Sequence, residues 1–190
     1  KIGNIRNNSK VILDYAHTPE ALKLALSNLK EQFPFSKLNL VFGCGGNRDF
    51  KKRFKMGIIA DRYADKIYLT DDNPRKENPL KIRKDIKKGI KKKDIEEIPN
   101  RKLAIHKSIQ NLKTGEILLV AGKGHEKTQD YGTKKLFFSD KKTILNSIKF
   151  KNKYLSKDIK LNIIKEKTNA QLPNNLVIKN ASINSKTIKK

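Results

Sequence analysis

Short apolar runs alternate with longer amphipathic stretches along most of this chain. Val11-Ile12-Leu13, Leu38–Phe42, residues 66–70, residues 116–121 and Leu136-Phe137-Phe138 read as strands. They are short, and continuous enough in apolar character to suit a sheet buried on both faces. Between them, apolar residues recur at helical spacing. Ala21, Leu22, Ala25, Leu26 and Leu29 follow Thr18-Pro19, an N-cap residue and a first-turn proline. Residues 54–64 also read as helical. Ile82, Ile86 and Ile90 mark the inner stripe of a helix over about 79–90. Leu103, Ala104, Ser108 and Leu112 predict one over 101–112, and a last helix is expected over 139–148.

This alternation predicts an α/β fold: a Rossmann-like, doubly wound, mostly parallel sheet with helices on both faces. In such sheets ligands bind at the carboxyl ends of the strands. Four unusual clusters fall there: Asp14-Tyr15-Ala16-His17-Thr18-Pro19, Gly43-Cys44-Gly45-Gly46-Asn47-Arg48-Asp49, Asp72-Asn73-Pro74-Arg75 and Gly122-Lys123-Gly124-His125-Glu126. Their shared edge is the physical reason to combine them into one site.

The chemistry of each cluster points the same way. Arg75 can hold a carboxylate through two parallel hydrogen bonds. Pro74 fixes the turn and biases Asn73 away from helix. Glycines let the backbone close on a ligand, and Glu126 can receive an ammonium group. Neither glycine cluster ends in the Lys-Ser/Thr of a Walker A loop. Taken singly, the Gly43 cluster is equally consistent with a tight strand–helix turn; the Gly122 cluster favours a ligand contact, with a solvated polar turn as its alternative. His17, His125 and Cys44 match no zinc-ligand spacing, so no metal site is expected among them.

Charge changes the picture less than its size suggests. Lys and Arg number 44 against 19 Asp and Glu, a net +25 over 190 residues. The excess is scattered Lys rather than a patch on one predicted face, and no aromatic-studded basic motif accompanies it. Nucleic-acid binding is therefore not expected. Cys44 is the one cysteine, which excludes an internal disulfide and fits a reducing, cytoplasmic compartment. No run approaches 18 apolar residues, so no membrane insertion is expected.

After Phe150 the texture shifts. Residues 151–190 hold ten Lys, two acidic residues and no Arg. Leu155 to Ile159 reads as the start of a short helix, and Val177 to Ile183 as a strand. Residues 1–150 are expected to form one domain and 151–190 a truncated C-terminal extension.

The four clusters, in this order and spacing, resemble the C-terminal domain of the Mur ligases. The Asp72-Asn73-Pro74-Arg75 form resembles the branch that adds meso-diaminopimelate. Asn47 stands where the family carries an acid, and residues 50–54 depart from its usual basic-glycine run. The resemblance implies ATP-dependent amide formation between UDP-N-acetylmuramoyl dipeptide and the diamino acid. It implies that Arg48, Asp72, Asn73, Pro74, Arg75, Gly122 and Glu126 hold the diamino acid, and that Asp14, Tyr15 and His17 lie against ATP. The Walker A lysine and the Mg2+ ligands would belong to a central domain of the same polypeptide, outside this chain. Residues 181–190 resemble the opening of a Mur ligase N-terminal domain, which suggests a fusion with the D-alanyl-D-alanine-adding ligase. The alternatives are a basic disordered extension and, for the whole chain, a non-catalytic Rossmann-like binding module recruiting an anionic partner.

Overall fold

The computed structural model describes residues 3–91 and 94–168, with residues 157–168 as helix backbone only. The elements run β1 (Gly3–Asn4), β2 (Lys10–Asp14), α1 (Pro19–Gln32), β3 (Leu38–Phe42), α2 (Lys51–Tyr63), β4 (Lys66–Leu69), α3 (Pro79–Lys87) and β5 (Asp94–Glu97). They continue with α4 (Arg101–Asn111), β6 (Ile117–Ala121), β7 (Thr128–Asp130), β8 (Lys135–Phe137) and α5 (Asp140–Thr168). Among the described residues the main sheet has six strands in the order β1-β2-β6-β3-β4-β5. β1 is antiparallel to β2, and the other pairings are parallel. The expected doubly wound, mostly parallel sheet is therefore present.

The side-chain period of two decides which helix layer each strand residue meets. In β6, Ile117, Leu119 and Ala121 join Leu22 and Leu26 of α1, Met56 and Ala60 of α2, and Ile82 and Ile86 of α3. Leu118 and Val120 face the other way, toward Ala104, Ile105 and Ile109 of α4 and Ile144 and Ile148 of α5. Helices thus cover both faces. The carboxyl ends of β2, β3, β4 and β6 are left at one edge, where the four clusters begin.

α1 begins where the sequence places its cap. Thr18 Oγ1 accepts the Ala21 amide, and Pro19 opens α1. Elsewhere the structure departs from expectation. α2 starts at Lys51, three residues before the expected 54, and α3 ends at Lys87 rather than 90. The spacing places Leu103 on the inner stripe of α4, but it is 58% exposed. The inner face is instead Ala104, Ile105, Ser108 and Ile109, one residue round the helix. β1, β5 and β7 are not among the strands the sequence predicts. β5 is a charged edge strand, Asp94-Ile95-Glu96-Glu97, and β7 is polar, so neither carries an apolar signature. Leu136 and Phe137 do lie in a strand, in a separate antiparallel pair with β7.

α5 does not stop at residue 148 but is helical to Thr168. The first compact unit ends at Leu155, and a second begins at Ser156. The expected strand over 177–183 and the second family likeness over 181–190 lie outside the described residues. No helix among the described residues is long and apolar enough to cross a membrane.

Lys151 shows why the first unit extends past residue 150. Its side chain is buried. Its Nζ donates to the carbonyls of Ile109 (3.0 Å), Gln110 (2.8 Å) and Leu112 (2.6 Å). They lie in the last turn of α4 and at its cap, where helix geometry leaves carbonyls short of donors; the Leu112 amide and Asn7 Nδ2 reach two of them as well, and a cation there complements the helix dipole. Lys151→Met should therefore lower unfolding free energy by about 1.5–3 kcal/mol. Lys149→Met, at an exposed neighbouring position, should change it by no more than about 0.5 kcal/mol. Urea unfolding of both variants checks this; equal stabilities would show that the buried ammonium does not hold α5 to α4.

Candidate functional site

The four clusters meet around a cavity of about 330 Å³, within the roughly 300–1,000 Å³ usual for small-ligand sites. Tyr15, His17, Arg48, Asp72, Asn73, Arg75, Gly122 and Glu126 line it, together with Gly43, Cys44, Gly45 and Lys52. Eight of the ten residues expected from sequence are thus brought together. Asp14 and Pro74 are not in the lining. Asp14 Oδ1 accepts the Ala16 amide at 2.8 Å, an Asx turn that presents Tyr15. Pro74 is buried, and its carbonyl is packed against Gly46.

Close backbone packing forms the floor. A Cβ at Gly43 would stand 2.1 Å from the Thr70 carbonyl oxygen, and one at Gly46 would stand 1.9 Å from that of Pro74. The β3 and β4 loops can pack together because those positions lack side chains. Their union is fastened by Arg53, buried at 1% exposure. Its Nη1 and Nη2 bind Glu77 Oε1 and Oε2 at 2.6 and 2.7 Å. Nη2 also reaches the Gly45 carbonyl at 3.4 Å. Glu77 Oε2 in turn accepts the Asn47 amide.

Arg75 Nη1 donates to the Gly46 carbonyl at 2.8 Å, which sets the plane of its guanidinium. Its own amide donates to Asp130 of β7, so the small hairpin helps to hold it. Asp72 sits deeper. Burial pushes its carboxyl up against the opposing charges of Arg101 and Lys123. Arg101 Nη1 lies 3.9 Å from Asp72 Oδ2 and makes no hydrogen bond among the described residues. Burial raises the Glu126 carboxyl, but hydrogen bonds from Lys123 and Asn73 and the charges of Lys123 and Arg75 outweigh it and hold the group below its ordinary value.

On the opposite rim, the Tyr15 ring lies 4.7 Å from that of His17 and 5.6 Å from that of His125. Lys52 Nζ donates to the His17 carbonyl at 2.9 Å, tying α2 to the β2 loop. Burial pushes the Cys44 thiol up to about 12, so it lines the cavity as a neutral group. The arrangement presents cations from Arg48, Lys52 and Arg75, carboxylates from Asp72 and Glu126, and three rings at one rim. That suits a zwitterion next to a flat, polar-edged group.

The family model described as Mur ligase, glutamate ligase domain, matches residues 1–124. This chain belongs to the Mur ligase family. It is 54% identical over 144 residues to the UDP-N-acetylmuramoyl-L-alanyl-D-glutamate–2,6-diaminopimelate ligase of Rickettsia rickettsii, covering 75% of this chain and 30% of that protein. It is 48% identical over 153 residues to the ligase of the same name from Chlorobium phaeobacteroides, covering 80% and 30% respectively. A solved structure of a ligase of that name superposes with a TM-score of 0.72 at 38% identity, over 77% of this chain and 31% of that one. The murein peptide ligase of Psychrobacter arcticus shares the fold at 16% identity and a TM-score of 0.52, over 77% of this chain and 28% of that one. The chain spans about 30% of the length of the curated relatives it matches.

Lys52 in the lining and the supporting residues Arg53, Glu77 and Arg101 are not among the residues expected from the sequence. Lys52 lies in a run of basic residues at the start of α2, with nothing local to distinguish it. Arg101 lies far along the chain and acts from beneath the site.

The Arg53–Glu77 pair yields a pH prediction. Its hydrogen bonds hold the Glu77 carboxyl below its ordinary value of 4.5. A folded value below the unfolded one means a stabilisation complete above about pH 4.5 and lost as pH falls through the depressed value. Glu77→Gln should be less stable than wild type at pH 7, and the gap should close in acid. Thermal melts from pH 7 to 3 check this; a gap constant with pH would mean that the charge of Glu77 is not what holds the loop.

Proposed function

We propose that this chain is the acceptor-binding domain of an ATP-dependent ligase. The enzyme would join meso-diaminopimelate to UDP-N-acetylmuramoyl-L-alanyl-D-glutamate through an amide bond. The observation that carries this reading is the facing of Arg75 and Glu126 across one small cavity. Diaminopimelate has a distal carboxylate and a distal ammonium. The free edge of the Arg75 fork suits the first and the Glu126 carboxylate the second. Asp72 and Asn73 supply further polar partners, Gly122 lets the backbone approach, and Arg48 adds a cation at the rim. Lysine lacks the distal carboxylate, so it would leave the Arg75 fork unpaired, a mismatch such sites reject strongly.

ATP would lie against Tyr15 and His17, whose rings form a shelf at the rim, with Asp14 shaping the turn beneath. In the reaction, the dipeptide carboxylate takes the terminal phosphoryl group, the diamino acid's amine attacks the acyl phosphate and phosphate leaves. This chain's share is to bind and orient the amine donor. No group of three or more His, Cys, Asp or Glu among the described residues could hold a metal ion. By the family likeness, Mg2+ and the phosphate-binding lysine belong to a central domain of the same polypeptide, and no residue here is given to them. A reducing cytoplasmic setting suits the buried thiol of Cys44.

Two measurements test the reading. In the full-length ligase, Arg75→Ala should weaken diaminopimelate use by about 2–4 kcal/mol in kcat/KM, with little change in the KM for ATP. Arg75→Lys should rescue poorly, because an ammonium cannot make the planar two-point contact. Equal losses for both substrates would make Arg75 structural. Separately, the 190-residue chain on its own should release no phosphate from ATP above blank. Metal-dependent turnover by that chain would contradict the division of labour.

A further inference from the structure

Lys123 sits among the four clusters, yet the assigned contacts do not use it. Its side chain is fully buried, an expensive position for an ammonium unless its partners are arranged for it. Two glycines of positive φ flank it, Gly122 at +115° and Gly124 at +51°. A Cβ at the first would stand 2.7 Å from Asp72 Oδ2, and one at the second 2.9 Å from Tyr15 Cβ. The loop therefore bends in a way that few other residues permit, and this bend turns Lys123 inward.

Inside, Nζ donates to Asn73 Oδ1 and to Glu126 Oε2, each at 2.8 Å. Asn73 Oδ1 also accepts the Asp130 amide at 3.0 Å. With its oxygen facing two donors, the Asn73 amide has one orientation left. Its Nδ2 then donates to Glu126 Oε2 at 2.9 Å. Both groups act on the same carboxylate oxygen, which leaves Glu126 Oε1 as the oxygen available to the cavity.

We propose that Lys123 is the positioning residue of the acceptor pocket: it locks Asn73 and aims Glu126 Oε1 at the ammonium group of a diamino acid. The proposal rests on the reading of this cavity as the acceptor site. Lys123 does not touch the ligand. It removes the rotational freedom that Glu126 and Asn73 would otherwise lose on binding. It also keeps Glu126 ionised as pH falls, working with Arg75 against the neighbouring Asp72 carboxylate and the burial of the loop. Arg101, beneath, faces the same cluster.

The test uses the full-length ligase, with Lys123→Met, Glu126→Gln and the double variant. Lys123→Met should raise the KM for diaminopimelate about tenfold or more, while kcat and the KM for ATP stay within about threefold. The acid limb of the diaminopimelate kcat/KM profile should move to higher pH, because Glu126 loses the cation that holds its carboxyl down. Lys123→Met added to Glu126→Gln should cost less than about threefold beyond Glu126→Gln alone, since the charge it positions is already gone. If Lys123→Met does not fold, the last comparison decides, because the double variant leaves neither charge unpaired. Unchanged or tighter diaminopimelate binding in Lys123→Met, an unmoved acid limb, or losses that multiply in the double variant would each overturn the proposal while leaving the acceptor reading intact. A wild-type enzyme without saturable dependence on diaminopimelate would overturn both.

Discussion

The buried guanidinium of Arg101 is where the sheet, its second helical layer and the site meet. Nε and Nη2 bind the two oxygens of Asp140 at the start of α5, at 2.9 and 2.7 Å. Nη2 also takes the carbonyl of Ala121 at the end of β6. Nη1 points toward Asp72. One side chain of α4 thereby sets where a strand ends, where a helix begins and where an acidic group of the cavity stands. A buried pair of this kind is weak evidence of net stabilisation, since apolar packing can replace it. Removing one partner is costly, on the order of 3–5 kcal/mol, because it strands a charge. Its value here is geometric: few other arrangements satisfy all three contacts.

The same logic explains two backbone conformations that would otherwise be unfavourable. Asn47 and Arg75 both have positive φ, at 49° and 53°, each roughly 1 kcal/mol or more above ordinary backbone. They are held from both sides. Asn47 Oδ1 accepts the Lys76 amide, and its own amide donates to Glu77. Arg75 is held by Asp130 through its amide and by Gly46 through its fork. Both strained residues sit in loops that wrap the cavity, and the strain aims them. Arg53, beneath, fixes Glu77 and so stiffens both loops together.

The layers of the fold were legible because burial on two faces makes strands read as apolar runs and helices as one-sided stripes. The site was legible because parallel strands must place their carboxyl ends on one edge, so four separate clusters converge. What was not legible has a common cause. β5 and β7 pair through backbone and carry polar side chains, so no period reveals them. Leu103 fits a helical stripe by spacing, but the true inner face is turned by one residue, and α4 alone cannot say where the sheet lies. Lys123 and Lys151 are buried, yet in a chain so rich in Lys nothing in the sequence separates them from solvated ones. Their burial depends on acceptors about 40 to 50 residues away: Asn73 for one, the end of α4 for the other.

The basic excess looks different once contacts are known. Of the 44 basic residues only seven are Arg. Four of them, Arg48, Arg53, Arg75 and Arg101, lie in the cavity wall or support it, and Arg83 lies close by at the same sheet edge. Arg53 and Arg101 each grip a carboxylate with two nitrogens. Arg83 bridges Asp71 and Glu97 where β4 and β5 end. Arg75 uses one nitrogen on the carbonyls of Gly46 and Asn73, and the rest of its fork borders the cavity. A lysine is a single-point donor and could serve none of these geometries. Lysine is sufficient where contacts radiate from one atom, as at Lys151 and Lys123. The large positive charge is therefore no guide to a partner. The guide is which cation stands where, and the forks gather at the carboxyl edge of the sheet because planar acidic groups, the protein's own and the proposed ligand's, must be held there at fixed angles.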